Sequence, residues 1–316
     1  MFRLVLTRPQ GSVQETLHTQ DVPDVDASLP STAIWSRTME AMGGEAVWQR
    51  LVGLRLAVIG VGRTGSLVAT TLARLGCQHL ILIDPDRIEP HNLGEMDSAR
   101  WTDVSRYKVE AVVEMLRAYS SGTYTTFPVP VTANSARTAC TQADVLICCV
   151  DSDAARLATA MVATCYHKVL IDVGTGITLH AHVEHEHRHD DRTMGADVRL
   201  VLPGNGCLLC WGSLANFDQA VDDLLHPRPL EAQPGWHMQR AGSLRTLNQL
   251  AAALGIQLLQ DLVVERVQTS LWAHVTVDPH GRVQVQYPSP PRAAGATPCR
   301  LCTRAGLGDA GWAWAV

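Results

Sequence analysis

The 316-residue chain carries a formal net charge of -5 with 18% charged residues, enough length to bury a sizeable core as one large domain or two modest ones. That balance lacks the basic stripe that displaces phosphate counterions, so no nucleic-acid partner is expected. The N-terminal MFRLVLTRPQGSVQ has too short an apolar run for a signal peptide, and no later stretch offers the roughly 18 uncharged apolar residues of a membrane span. A cytoplasmic protein without a membrane partner is the expectation.

A first strand is expected at Phe2 to Leu6, and residues 10–33 read as a polar, proline-dotted arm without periodicity. The organisation expected is therefore a strand and flexible arm over 1–33, a compact domain over 34–302 and a tail over 303–316. Trp35, Met39, Met42, Val47 and Leu51 fall near helical spacing and predict two short helices broken at Gly43-Gly44. Then strand and helix alternate. Leu56 to Ile59 predicts a strand, Gly65 to Leu75 a helix, His79 to Ile83 a strand, and Lys108 to Ala118 a helix. Val145 to Val150 follows as a buried strand, Ala154 to Tyr166 as a helix, and Val169 to Val173 as another strand. Such alternation predicts an α/β fold, a Rossmann-like, mostly parallel sheet with helices on both faces. The second half is less regular. Strands at Ile177 to Val183 and Val198 to Leu202, a helix from Ser243 to Gln268, and strands at Leu271 to Val277 and Arg282 to Gln286 predict an antiparallel extension of that sheet.

Gly60, Gly62 and Gly65 form GxGxxG directly after the Leu56 to Ile59 strand. The first glycine permits a tight turn, the second lets backbone approach phosphate, and the third lets helix pack on strand. The helix that follows presents unpaired N–H groups and a partial positive charge to an anion. Asp84 ends the next strand, where an acid can accept ribose hydroxyls. A nicotinamide-dependent oxidoreductase is the default owner of such a fingerprint. The residues downstream point elsewhere: LIDPDRIEPHNL holds Asp84, Asp86 and Asn92, Lys108 opens the next helix, and ICCVDSD puts Asp151 at the carboxyl end of a buried strand. Two acids, an amide, an ammonium and a third acid suit a triphosphate with its Mg²⁺ better than a nicotinamide ring. Each has a bland alternative: Asp86 and Asn92 as turn formers, Lys108 as a solvated helix residue, Asp151 as a helix cap.

In this order and spacing, over roughly Trp35 to Cys302, the sequence resembles the adenylating enzymes that activate ubiquitin-like proteins. These include the ThiF, MoeB and HesA proteins and the adenylation domains of ubiquitin-activating enzymes. The resemblance implies that Gly60, Gly62 and Gly65 form the nucleotide loop, that Asp84 binds the ATP ribose, and that Asn92 and Lys108 contact phosphate. It further implies that Asp151 serves Mg²⁺ and the reacting phosphate. Upstream, WSRTMEAMGGEAVWQRL looks like the family's entry helix, making Arg37 the arginine that reaches a partner subunit's ATP site and implying a homodimer. One position departs from the pattern: Glu95 stands where the family usually has arginine, so either Arg100 or Arg106 substitutes or ATP binds more weakly.

Nine cysteines make a fully paired disulfide framework an unsuitable reading. Cys207 and Cys210 in GNGCLLCW, with Cys299 and Cys302 in TPCRLC, form two CxxC knuckles that can supply four thiolates to a structural Zn²⁺. Redox-active pairs or free thiols are the alternatives; the resemblance favours zinc clamping the chain end to the domain. Cys77, Cys140, Cys148, Cys149 and Cys165 read as inert core residues. Between Trp211 and Pro298 there is no cysteine for the thioester or persulfide that many relatives form. Either the acyl-adenylate passes directly to a partner or a hydroxyl such as Ser213 or Ser243 takes over, although serines there also read as caps. His180, His182, His185, His187 and His189 read as a solvated strand end, with metal ligation as the alternative.

The expected function is ATP-dependent adenylation of the C-terminal carboxylate of a ubiquitin-like β-grasp protein. It would serve a bacterial ubiquitin-like conjugation or sulfur-carrier pathway, with a conjugating enzyme as a further partner. The alternatives are a nicotinamide-dependent oxidoreductase and an inactive regulatory scaffold, the latter motivated by Glu95.

Overall fold

A computed structural model describes residues 6–8, 11–13, 32–118, 120–179, 192–214, 216–226, 244–278, 280–291 and 298–312. Phe2 to Val5 and the histidine-rich stretch from His180 to His189 lie outside the described residues, as does Ser243. At the N-terminus, Leu6–Arg8 (β1) pairs antiparallel with Gly11–Val13 (β2), so a hairpin occupies the start of the expected arm. The two short helices are Ser36–Ala41 (α1) and Glu45–Val52 (α2), separated at Gly43 and Gly44, whose φ angles of +94° and +115° no helix interior tolerates.

The alternating region follows as Arg55–Ile59 (β3), Arg63–Arg74 (α3), His79–Ile83 (β4), Lys108–Arg117 (α4), Thr123–Phe127 (β5), Asn134–Gln142 (α5), Val145–Cys148 (β6), Asp153–Cys165 (α6) and Val169–Leu179 (β7). The remainder comprises Arg192–Val201 (β8), Phe217–Leu225 (α7), Arg245–Val263 (α8), Leu271–Val277 (β9), Val283–Gln286 (β10) and Asp309–Trp312 (α9). An eight-stranded sheet runs in the order β10-β9-β8-β7-β6-β3-β4-β5. Strands β7, β6, β3, β4 and β5 are parallel, and β8, β9 and β10 extend the sheet antiparallel. That is the expected mixed, Rossmann-like arrangement.

The parallel strands read as unbroken apolar runs because both of their faces are covered. Leu56 and Val58 of β3, Leu80 and Leu82 of β4 and Val145 and Ile147 of β6 enter one core together with residues of α2, α3, α4 and α8. Ala57 and Ile59, Ile83, and Leu146 and Cys148 enter a second core, with α5, α6 and α7. Alternation with period 2 thus splits each strand between two cores.

Three differences from the sequence expectation have local causes. Two predicted strands merge into β7, whose Gly174 and Gly176 continue the ladder against Asp197 and Gly195 of β8 instead of breaking it. Helix α8 stops at Val263, short of Gln268, because Glu265 turns left-handed at φ 63° and the Arg266 N–H donates to the Asp261 carbonyl at 2.8 Å. Strand β5 and helix α5 went unread because they bury little apolar surface: only Tyr124 of β5 is buried, and only Ala136, Ala139 and Cys140 of α5. No helix among the described residues is long and apolar enough to cross a membrane.

Candidate functional site: an acid-lined crevice at the glycine turn

The chain leaves β3 to reach β4 on one side and returns through β5 and α5 to β6 on the other. Strand order therefore reverses between β3 and β6, and such a switch point opens a crevice beyond the carboxyl ends of the strands. The glycine turn follows β3, Asp84 follows β4, and Asp151 follows β6, so three adjacent strand ends deliver them to one place.

The turn is tight for steric reasons. Gly60 has φ +80°, and a Cβ there would lie 2.9 Å from the Cys149 carbonyl oxygen. A Cβ on Gly65 would lie 1.8 Å from the Gly60 carbonyl oxygen, so the first turn of α3 closes against the loop only when residue 65 is glycine. At Gly62 a Cβ would meet nothing within 4 Å; that side of the turn is open. Gly62 is the N-cap of α3, and it supplies no side chain to the orphan N–H groups behind it.

Asp84 is 5% exposed and braces the turn from below: its Oδ2 accepts the Val61 N–H at 2.8 Å and its Oδ1 accepts the Asp86 N–H at 2.9 Å. Burial pushes its pKa up to about 6; the like charge of Asp86 adds to the rise, and Lys108 opposes it. The Lys108 side chain is only 12% exposed, and its Nζ donates to Asp86 Oδ2 at 2.7 Å. Burial works against the ammonium, but Asp84, Asp86 and Asp151 together overcome it and raise its pKa above the ordinary value. The electrostatics thus bring Asp84, Asp86, Lys108 and Asp151 into one neighbourhood. Asn92 is buried within the 3₁₀ turn Pro90–Asn92, where its Oδ1 accepts the Glu89 N–H at 2.9 Å.

The two arginines named as substitutes at Glu95 have other partners. Arg100 donates to Asp103 at 3.0 Å and to Glu114, while Arg106 donates to Asp103 at 2.6 Å and to Glu114 at 2.8 Å. Asp103 is fully buried, so both guanidinium groups are held at the start of α4. Near Glu95 the cation is Arg245 of α8, which donates to the Glu95 carbonyl at 3.1 Å and to Asp97 at 2.6 Å. Arg37 lies elsewhere. It lines a cleft of about 430 Å³ with Leu75, Gln257, Gln260, Asp261 and Arg266. Leu75 follows the last residue of α3, which puts Arg37 one helix length, about 18 Å, from this chain's own glycine turn.

A buried network missing from the sequence reading supports the crevice floor. Asp172 of β7 is fully buried, with Arg156 Nε at 3.0 Å and Arg199 Nη1 at 3.6 Å. Arg156 also donates to the Val150 carbonyl at 2.8 Å, fastening the backbone immediately before Asp151. On the other side, Arg199 donates to the Trp211 carbonyl at 2.9 Å, and the Ser213 hydroxyl donates to Asp172 at 2.7 Å. Ser213 therefore anchors the first CxxC segment to the sheet. The signal was present: an acid inside the apolar run VLIDV must be paired if that strand is buried.

The four knuckle cysteines come together. Their Sγ atoms all lie within 4.8 Å of one another, at 3.5 Å for Cys207 and Cys299, 3.6 Å for Cys210 and Cys302, and 3.8 Å for Cys207 and Cys210. Four sulfurs on a tetrahedral zinc at its usual bond length sit about 3.8 Å apart, so this donor set fits such an ion.

The chain is similar in sequence and in fold to several known proteins. The chain is 26% identical to the ubiquitin-like modifier-activating enzyme 5 of Caenorhabditis elegans over 209 residues, covering 61% of this chain and 46% of that protein. It is 33% identical to tRNA threonylcarbamoyladenosine dehydratase 1 of Saccharomyces cerevisiae over 73 residues, covering 23% of this chain and 17% of that protein. The matched region thus spans less than half the length of either relative. In fold, the chain superposes on the crystal structure of MccB from E. coli with a TM-score of 0.61 at 18% identity, covering 87% of this chain and 73% of that one. Residues 35–264 match the ThiF family, and the chain belongs to it.

Proposed function

We propose that this chain binds ATP in the crevice at the glycine turn and uses it to adenylate the C-terminal carboxylate of a ubiquitin-like, β-grasp protein. A carboxylate oxygen bonds to the α-phosphorus, the bond from that phosphorus to the α,β-bridging oxygen breaks, and pyrophosphate leaves with the electron pair. The acyl-adenylate that remains converts a poor electrophile into a reactive one. The observation that carries the reading is the convergence of Asp84, Asp86, Lys108 and Asp151 beside the Gly60 to Gly65 turn, whose Gly62 is open. In this reading Asp84 accepts the ribose hydroxyls, the loop N–H groups and Lys108 hold phosphate oxygens, and Asn92 keeps the segment between them folded. Asp151 and Asp86 would hold Mg²⁺, which supplies charge neutralisation at the phosphates when bound. Catalysis is then positioning and charge stabilisation.

Arg37, distant from its own chain's turn, is read as serving the crevice of a second copy in a homodimer. Cys207, Cys210, Cys299 and Cys302 are read as a structural Zn²⁺ site that closes the adenylation domain over residues 34–302. A short peptide in place of the β-grasp protein is the second reading, favoured by the fold likeness to MccB, one of whose structures is described as a complex with N-formylated MccA. With Ser213 bound to Asp172 and no cysteine between Trp211 and Pro298, the acyl-adenylate itself is the species handed on.

Two measurements test this. ATP with Mg²⁺ should raise the melting temperature and NAD should not; the reverse preference overturns the reading. Labelled pyrophosphate should exchange into ATP when the β-grasp protein or peptide encoded beside this gene is supplied, and Asp151→Ala should abolish the exchange. Exchange that survives in Asp151→Ala would refute the role given to that crevice.

A further inference from the structure

We propose that Arg63, the first residue of α3, is the phosphate-binding arginine of this site and reaches the polyphosphate from the glycine turn itself; this rests on the ATP reading above. Apart from Lys108, which pairs with Asp86, the arginines around the crevice are already committed: Arg245 to Asp97 and the Glu95 carbonyl, and Arg100 and Arg106 to Asp103 and Glu114. Arg87 donates to the Ser105 carbonyl at 2.6 Å and stacks on Tyr107. Arg63 differs: among the described residues its guanidinium has no hydrogen-bond or ion-pair partner, and the residue is only partly exposed.

Its position makes that isolation costly. A cation in the first turn of a helix sits at the positive end of the helix dipole, and α3 has no acid in its first turn to offset it. An arginine is thus placed where the local field disfavours it, beside a turn whose open side at Gly62 holds no protein atom within 4 Å of a would-be Cβ. Residues that break a local rule without compensation mark functional positions. An anion seated on the open side of Gly62 removes the conflict, since the loop N–H groups, the dipole and the guanidinium then all point at negative charge. The charge count agrees. Asp84, Asp86 and Asp151 all act on Lys108, and a triphosphate brought among three carboxylates is better held with further positive charge beside that lysine.

The experiment is calorimetric titration of the full chain with ATP and with adenosine, for the wild type, Arg63→Gln and Arg63→Lys. Loss of one charge-assisted contact should weaken ATP binding on the order of ten- to hundredfold in Arg63→Gln, with Arg63→Lys intermediate and adenosine affinity changed less than twofold. Without nucleotide, Arg63→Gln should melt at or above the wild-type temperature, because an unfavourable charge has gone; a purely structural arginine would give the opposite sign. Wild type that fails to bind ATP overturns the ATP reading and this inference with it. Wild type that binds ATP while Arg63→Gln binds equally well overturns this inference alone. So does an equal loss for ATP and adenosine, or a lower melting temperature in Arg63→Gln.

Discussion

The protonation of Asp84 gives the sharpest quantitative test of the crevice. Its carboxylate is 5% exposed, and its pKa rises from 3.8 to about 6, chiefly by burial. A raised carboxylate pKa means that the folded chain holds the proton more tightly than the unfolded one, so stability is lost as pH climbs from about 3.8 to about 6. The full cost, about 3 kcal/mol for a rise of about two units, persists above that window. Asp84→Asn removes the titration. The variant suffers a separate, pH-independent penalty, because one face of the amide presents an N–H to the Val61 or Asp86 N–H that now donates to a carboxylate. The quantity to read is therefore the pH dependence of the difference between the two proteins, obtained from urea unfolding at a series of pH values. As pH rises through the window, wild type should lose about 3 kcal/mol relative to Asp84→Asn, and in Lys108→Met the window should move upward, since the opposing cation is gone. A difference that is flat with pH, or that grows in favour of wild type as pH rises, would refute the account of Asp84 as a desolvated acid held beneath the turn.

Two further predictions concern the floor and the chain end. Asp172→Ala leaves Arg156 and Arg199 as poorly solvated cations without their shared carboxylate, and it should cost about 3–5 kcal/mol in urea unfolding; a loss below about 1 kcal/mol would show that the network is dispensable. Metal analysis of the purified chain should find one zinc per molecule. Cys207→Ser should lower the zinc content and the melting temperature together, and a chain that holds no zinc at any stage contradicts the assignment of the four knuckle thiolates as its ligands.

Much of the parallel half was legible in the sequence because its strands are covered on both faces, which demands continuous apolar runs such as LAVI and VLIC between glycine and acid punctuation. The glycine turn could be read for the same reason: a Cβ at Gly60 or Gly65 collides with backbone, so only one residue type survives there. The polar edge of the sheet was not legible. Strand β5 and helix α5 bury too little apolar surface to imprint a period, and they exist because neighbours supply their pairing and packing.

Side-chain partnership was decided by tertiary structure alone. In the sequence Arg63, Arg100, Arg106 and Arg245 are indistinguishable, since a charge in a string carries no partner. Folding sorts them: α4 brings Glu114 against Arg100 and Arg106, α8 carries Arg245 across nearly 150 residues of chain to Asp97, and Arg63 alone of the four remains unmatched among the described residues. The same holds for Asp172, an oddity in an apolar run until two arginines from α6 and β8 meet it in three dimensions. Local chemistry determined which residue types the turn and the strands could hold. Contacts between segments distant along the chain determined which charges were left for a ligand.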